Sequence, residues 1–522
     1  MSLDGFIHKI DVDAQYIQGT TMLATKDYKH FKIVSQQGEI LFEFEGANQT
    51  GKALPGDFVE QTEMGCKLLK RTAHPPLVGI VHFDSKVKHG FTSRNVPIYL
   101  FTPLNESYPC FLVGSSLKER SNQLGVATFE TWETTTFPRG SLQKILGACG
   151  QESIEKEALA IQYSPWVQKH KDIPLRLELP SKENRFILDV PTINIDPVDC
   201  RDIDDVISLW KEGDKWRVAI SIADVAGLYL LNPFMKFAER VGQSLYQDGR
   251  LIRPLFEHCV TYGMSLNPGE EHYAVSLLFD WDGKQISNLE WKETLVTNKA
   301  SYTYENCYTA KEIDIRILKE ICTALGEDSE DSHKWIECLM LFYNTEAAKV
   351  LVQKGQGLLR AHSAPEQEKL ERYERLGLPA KELAFPAATY VLVGEDSVKH
   401  WGLGKDVYCH ASSPIRRFAD VLNQIVLKGY SVEEWREYAY KLNTYQKRVK
   451  QHDRDFFFLE QFFQNKTKEI EGIVVGEKMY IPEWKRFVRV NTCKQEGEKV
   501  KLRFYARMGE RRWKDRIVFE VS

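Results

Sequence analysis

The sequence predicts a multidomain α+β protein, with small β-barrels flanking a mixed α/β domain. Three observations lead there. Short apolar or alternating runs punctuated by Gly, Asn and Pro fill roughly the first 165 residues. Helical periodicity is clear from Lys334 to Leu351 and from Val432 to Phe463. Strand patterns return after residue 465 and continue to the end. A length of 522 residues suits this count of domains.

The N-terminal runs include Phe31-Lys32-Ile33-Val34, Ile40-Leu41-Phe42-Glu43-Phe44 and Leu77-Val78-Gly79-Ile80-Val81. Their spacing fits two small barrels of the oligonucleotide-binding type in series, at residues 1–75 and 76–168. An undifferentiated β-sandwich is the competing pattern. Residues 169–465 form the longest coherent block. Strands at Phe186 to Ile195, Trp216 to Ala223 and Ala274 to Asp280 are followed there by the helices. Residues 466–522 carry four further strand patterns. This last segment holds 15 Lys and Arg against 9 Asp and Glu, a surplus of six positive charges in a chain of net charge −4. Tyr480, Trp484, Phe487, Tyr505 and Trp513 are interleaved with those cations. Cations for phosphates and ring faces for bases suit a grip on single-stranded nucleic acid, separable from any chemistry upstream. The alternative is a barrel whose aromatic residues are simply its core.

Composition excludes several classes. With 43% hydrophobic and 27% charged residues, the chain has a folded, globular balance. No apolar run approaches the roughly 18–20 residues that span a bilayer, and no basic start leads into an apolar leader. A cytoplasmic protein without a membrane partner is therefore expected. Ten cysteines are scattered without a Cys-x-x-Cys pair, which gives neither a zinc site nor a disulfide framework. The acidic balance leaves any polyanion affinity to local positive surface.

The sharpest feature is Ile193-Asn194-Ile195-Asp196-Pro197-Val198-Asp199-Cys200-Arg201-Asp202-Ile203-Asp204-Asp205. Asp196, Asp202, Asp204 and Asp205 cannot all stay ionised in a small volume without compensation. Divalent metal would balance them and could clamp the oxygens of a phosphodiester displacement. A calcium loop does not fit. Counted from Asp196, positions three, five and twelve are Val198, Cys200 and Ile207. A solvated acidic turn is the bland alternative. A second constellation, Ser412-Ser413-Pro414-Ile415-Arg416-Arg417-Phe418-Ala419-Asp420, sets two arginines at a turn-to-helix entry, with Ser or Pro expected to start the helix. Free backbone N–H groups and guanidinium forks there suit a phosphate. A surface helix pairing its arginines with Asp420 and other acids is the alternative.

Together these segments resemble the ribonuclease II / ribonuclease R family of RNB-domain exoribonucleases. That family carries I-D-P-x-x-x-x-D-x-D-D-A and, about 200 residues later, S-P-I-R-R-Y-x-D. All four aspartates align, and Phe418 replaces the tyrosine. Ile222-Ala223-Asp224-Val225, Ser265-Leu266-Asn267-Pro268-Gly269-Glu270, Ile336-Glu337-Cys338-Leu339-Met340-Leu341, Leu359-Arg360-Ala361-His362 and Phe137-Pro138-Arg139-Gly140 resemble further family segments in consistent order. The resemblance implies two cold-shock barrels, a catalytic RNB domain and a C-terminal S1-like barrel. It also implies processive 3′-to-5′ hydrolysis of single-stranded RNA to nucleoside 5′-monophosphates by a monomer that uses Mg²⁺, with Mn²⁺ as an alternative. By resemblance, Asp196, Asp202, Asp204 and Asp205 hold metal, Asp204 is the one most directly needed for cleavage, and Arg416 stabilises the scissile phosphate. Tyr246 resembles the tyrosine that clamps the 3′-terminal base, and Tyr304 resembles another channel tyrosine, with Tyr302 a competitor for that second role. Glu337 resembles a contact to the terminal ribose, and Arg417 falls among the substrate-binding positions. Departures lie at Val241-Gly242, Ile252-Arg253-Pro254-Leu255-Phe256 and Gln424-Ile425, and bear on channel shape more than on the aspartates. Two other classes stay open: a catalytically inactive RNB-fold RNA-binding regulator, and a metal phosphodiesterase of different specificity.

Overall fold

The computed structural model describes residues 21–521 except 88, 169–172, 175, 466–468, 491–493 and 508. The chain divides into two compact units. One takes residues 1–166 and 450–522, the other residues 167–449.

In the first unit, β1 (Thr21–Thr25), β2 (His30–Ser35), β3 (Ile40–Glu45), β4 (Phe58–Gln61) and β5 (Cys66–Lys70) form an antiparallel sheet in the order β3-β2-β1-β4-β5. The next five strands close into a barrel in the order β10-β8-β7-β6-β9: β6 (Leu77–Val81), β7 (Ile98–Pro103), β8 (Phe111–Gly114), β9 (Gln123–Thr131) and β10 (Arg139–Ala148). Closure removes the unpaired edges that an open sheet exposes. Helix α1 (Glu152–Tyr163) follows.

The C-terminal strands β22 (Glu469–Val475), β23 (Lys478–Ile481), β24 (Arg486–Arg489), β25 (Lys499–Ala506) and β26 (Ile517–Val521) make a five-stranded antiparallel sheet, with the short helix α11 (Trp513–Arg516) before the last strand. The alternation Lys-Val-Lys-Leu-Arg-Phe-Tyr in β25 sends charges outward and Val500, Leu502 and Phe504 inward. Here the expected nucleic-acid grip needs correcting. Tyr480, Trp484 and Trp513 are buried, Phe487 is half-buried, and Tyr505 is the exposed ring. A small sheet has few other side chains with which to fill a core. Nor is this sheet separable. Its core includes Leu159 of α1 together with Phe456, Phe458 and Leu459. The Glu155 carboxylate accepts from Arg516 Nη1 at 2.6 Å and Trp513 Nε1 at 3.1 Å, with both ion-pair side chains 1% exposed.

The second unit is built on a seven-stranded sheet ordered β11-β18-β17-β14-β13-β12-β19. Its strands are β11 (Phe186–Leu188), β12 (Thr192–Asp196), β13 (Asp205–Glu212), β14 (Lys215–Ala223), β17 (Glu271–Trp281), β18 (Ile286–Thr297) and β19 (Ala300–Thr303). Central β14 ends in six buried residues, as a strand covered on both faces must. A hairpin, β15 (Leu245–Gln247) and β16 (Arg250–Arg253), turns at Asp248-Gly249 with both residues at positive φ. Around these lie α2 (Val225–Leu231), α3 (Ala238–Val241), α4 (His258–Met264), α5 (Ile315–Ala324), α6 (Ser332–Gln353), α7 (Gln367–Arg375), α8 (Ala380–Leu383) and α9 (Phe418–Leu427), with a small hairpin of β20 (Leu358–Ala361) and β21 (Thr389–Leu392). The 30-residue helix α10 (Trp435–Gln464) starts in this unit. No helix among the described residues is long and apolar enough to cross a membrane.

One buried ion network ties the strands to α9. Asp224 Oδ2 meets Arg185 Nη2 at 2.5 Å and Lys428 Nζ at 2.6 Å, and Glu293 Oε2 meets the same two cations at 2.9 and 2.5 Å. The other Asp224 oxygen caps α2, accepting from Gly227 N at 2.8 Å.

Candidate active site

Sheet register gathers the acidic residues. Asp196 closes β12 and Asp205 opens β13, its antiparallel neighbour. The loop between them passes through Asp199 at φ 63° and carries Asp202 and Asp204. Ala223 N–H donates to the Asp204 carbonyl at 2.9 Å, which extends the β13–β14 ladder to the loop's end. The backbone around the cluster is thus fixed on three sides by β12, β13 and β14.

Asp196, Asp202 and Asp204 then meet different partners. Asp196 Oδ2 accepts from the Asn194 amide at 2.8 Å, and Asn194 Oδ1 accepts from Asn298 at 2.8 Å and Ser301 at 2.6 Å. Asp202 accepts from the Tyr246 hydroxyl at 2.6 Å and the Cys200 thiol at 3.7 Å. Asp204, 5% exposed, accepts from Ile415 N–H at 2.9 Å and lies 3.5 Å from Arg416 Nε.

The electrostatics are unbalanced. Burial pushes the Asp204 carboxyl up to about 8, with Asp202 and Asp420 adding to the rise and Arg416 and the Ile415 N–H opposing it. Burial, then the charges of Asp196 and Asp204, raises Asp205 well above the usual carboxylate range. Asp196 is raised by burial and by Asp202. Arg416 is the cation that counters all three, and its side chain stays 46% exposed.

Arg416 is held by a second pairing. Ser244 N–H donates to the Arg416 carbonyl at 2.9 Å, Gln243 bridges Arg417, and Phe418 N–H donates to the Gly242 carbonyl at 2.9 Å. The segment carrying Tyr246 therefore pairs with the one carrying Arg416. Only glycine fits at 242, where φ is +80° and a Cβ would lie 2.0 Å from the Tyr445 ring.

The helix start differs from expectation. Helix α9 begins at Phe418 with Arg417 at its N-cap position, not at Ser412 or Pro414. Asp420 reaches back to accept from Ser413 N–H at 2.8 Å and Arg417 Nη2 at 2.8 Å, and Asp204 takes the Ile415 N–H. These bonds hold residues 413–417 as a loop and occupy N–H groups expected to face an anion. Arg417 is committed to an internal ion pair, with its side chain 23% exposed.

Of the two tyrosine candidates, Tyr304 lies near the acids. It follows Thr303, which pairs with Asp196, and burial together with the charges of Asp196 and Asp205 raises its hydroxyl. Its ring stacks on His333 with centroids 3.8 Å apart. Tyr302 instead donates to Glu312 at 2.6 Å. Glu337 lies on α6 one turn past His333, 56% exposed and paired with Lys334 at 2.6 Å. That pairing turns it to a neighbour on its own helix rather than to the aspartates.

Sequence reasoning assigned no role to Asn194, and it placed Asp420 with the arginines only in the alternative in which they pair with acids, as Arg417 does here. Asn194 left one trace: a polar side chain between two isoleucines, on the same strand face as Asp196.

Four carboxylates against one exposed guanidinium suit a hard divalent cation by charge and donor type. Among the described residues no three His, Cys, Asp or Glu side chains converge into a ready-made metal-binding group. Mg²⁺ does not require one, because it is commonly held by one or two carboxylates with water and substrate phosphate completing its shell.

Comparison with known proteins agrees with this architecture. The RNB domain matches residues 185–313 and 309–433, and the Dis3-like cold-shock domain 2 matches residues 98–164. A probable exosome complex exonuclease RRP44 of Caenorhabditis elegans is 24% identical over 430 residues, covering 63% of this chain and 44% of that protein. Ribonuclease R of Helicobacter pylori is 24% identical over 409 residues, covering 60% of this chain and 63% of its own. Matches of this kind span about half the length of such relatives. The apo form of Mycoplasma genitalium RNase R superposes with a TM-score of 0.71 at 16% identity, covering 97% of this chain and 100% of that one. Yeast Ssd1, described as a pseudonuclease, superposes with a TM-score of 0.58 at 14% identity, covering 94% and 80%.

Proposed function

The chain belongs to the RNB-domain family shared by ribonuclease R and RRP44, and on that premise we propose that it hydrolyses single-stranded RNA from the 3′ end, one nucleotide at a time. The observation that carries this reading is the set of four aspartates on one loop and two strand ends with Arg416 beside them. A cluster this negative and this buried favours whatever brings positive charge to it.

In this reading, Asp196, Asp202, Asp204 and Asp205 hold Mg²⁺, which when bound supplies charge neutralisation at the phosphate and an activated water. Arg416, exposed but anchored through its backbone, meets the charge that develops on the scissile phosphate. Asn194 fixes the Asp196 carboxylate through a buried amide chain, so that it is oriented before substrate arrives. Tyr246 holds Asp202 and faces the same loop. Tyr304, stacked on His333, offers a ring beside the cluster for a terminal base.

The test is a time course on a 5′-labelled oligoribonucleotide with Mg²⁺, with a matched DNA strand and a chelator control. The expected result is a ladder descending in single-nucleotide steps, nucleoside 5′-monophosphate as product, resistant DNA, and no reaction in chelator. The second reading, an inactive RNA-binding protein, has its precedent in yeast Ssd1, a pseudonuclease with the same fold. It predicts RNA binding with no ladder under any divalent cation.

A further inference from the structure

Two cysteines outside the acidic site form the basis of a separate inference. Cys322 lies near the end of α5, Cys338 in the second turn of α6, and the two helices form an antiparallel hairpin through residues 325–331. Each sulfur reaches across the hairpin. Cys338 Sγ lies 3.9 Å from the Cys322 carbonyl oxygen, and Cys322 Sγ lies 3.7 Å from the Trp335 carbonyl oxygen. Interaction between the two thiols pushes the Cys322 thiol up and the Cys338 thiol down. The thiols of Cys66, Cys307 and Cys409 also donate to backbone carbonyls, but to those of Thr50, Tyr304 and Asn344, none of which belongs to a second cysteine or lies within three residues of a second cysteine.

We propose that Cys322 and Cys338 are a reversible redox modification site, joined into a disulfide by a peroxide or by a small-molecule disulfide such as oxidised glutathione. The roles divide by environment. Cys338 is partly exposed, and contact with the Cys322 thiol lowers its own ionisation range, so it is the attacking sulfur. Cys322 is fully buried and held protonated, which makes it the resolving sulfur. With hydrogen peroxide, the Cys338 thiolate takes one oxygen to become a sulfenic acid and hydroxide leaves. The Cys322 sulfur then loses its proton, attacks the sulfenic sulfur, and expels a second hydroxide. Two thiols and one peroxide give one disulfide and two waters.

The bond would staple α5 to α6. Helix α6 carries His333, which stacks on Tyr304, so under the proposed function oxidation also fixes one wall beside the acidic cluster. The disulfide chemistry itself does not depend on that function.

The experiment is peptide mapping of the intact wild-type chain under non-reducing conditions, after graded hydrogen peroxide or oxidised glutathione. The expected result is a Cys322–Cys338 cross-linked peptide lighter by two hydrogens, the loss of two of the ten free thiols, and full reversal by a thiol reductant. Cys338→Ser abolishes the cross-link, and Cys259→Ser, at an exposed position, leaves it intact. The proposal is overturned if both cysteines stay free while Cys259 is oxidised, or if Cys338 stops at a mixed disulfide with glutathione. The wild-type chain alone decides between these outcomes, so the proposal stands or falls even if a variant misfolds or the chain has no nuclease activity.

Discussion

Two groups of buried carboxylates lie at neighbouring strand ends of the same sheet, and the fold compensates them differently. Asp224, just past β14, shares Arg185 and Lys428 with Glu293, two acids against two cations. Those cations hold the Asp224 carboxyl below its ordinary range despite full burial. Asp205 opens β13 directly opposite Ile222 of β14, yet it and Asp204 are raised, with Arg416 as their opposing cation. Asp224 and Asp204 are both buried, so counter-charge makes the difference between them. A matched network stabilises the fold, whereas an unmatched one costs stability and persists where a charged ligand completes it.

Substitutions can break or sharpen that contrast. The largest effect is expected at Asp204→Asn. Cleavage should fall by at least ~10²–10³-fold, as for loss of a transition-state electrostatic contact, and RNA binding should persist. The melting temperature in chelator should not fall, because the amide keeps the Ile415 hydrogen bond and stays neutral at a site where burial already opposes ionisation. Single-turnover cleavage and a thermal melt together check this, and a variant that is active or that melts early counts against the contrast.

Asp224→Asn should do the reverse. It strands two buried cations on Glu293 and should cost about 3–5 kcal/mol in urea unfolding. The pH dependence follows from linkage. A carboxyl lowered in the folded state from 3.8 contributes stability above that value and loses it as pH falls through the folded value. The acid side of the wild-type stability curve should therefore be steeper than that of the variant.

Glu155→Gln extends the comparison to the other unit, where Arg516 has the same carboxylate as Trp513. A loss of about 3 kcal/mol is expected for a buried cation left without its carboxylate, measured by thermal or urea melting. The smallest change is Gly242→Ala. Strain at positive φ and the Tyr445 contact should cost about 1–3 kcal/mol and displace Arg416, reducing turnover while the aspartates stay intact. Turnover at full wild-type level would show that the pairing of residues 242–244 with 416–418 does not position Arg416.

The contrast also explains what the sequence disclosed. The aspartates were legible because five acids within ten residues break the usual alternation of strand and loop, while the register that gathers four of them came only with the pairing of β12, β13 and β14. Tyr304 and Tyr302 could not be separated by sequence, since the choice depends on β19 lying parallel to β12. The start of α9 was misplaced because Ser413 and Pro414 carry strong local helix-start signals, and Asp420 and Asp204 override them from 7 and 211 residues away. The tail aromatics read equally well as surface or core, and only the pairing of β22 through β26 with α1 settles Tyr480, Trp484 and Trp513 as core. Gly242 depends on a contact with Tyr445, about 200 residues away, that leaves no local signature.

The ion pair between Glu155 and Arg516 spans 361 residues of sequence. A ribosome adding ~5–20 residues per second needs roughly 20–70 s to cover that span. Throughout that interval α1 has emerged while its aromatic and ionic partners are still unmade. The second unit, continuous in the chain, can fold while the nascent polypeptide is being extended. The first cannot finish until the final strands leave the exit tunnel. Elongation rate, rather than any intrinsic pairing step, thus sets the earliest moment of its completion, and a stop codon anywhere between α1 and Arg516 leaves Glu155 and the strands before it without the partners that complete their unit.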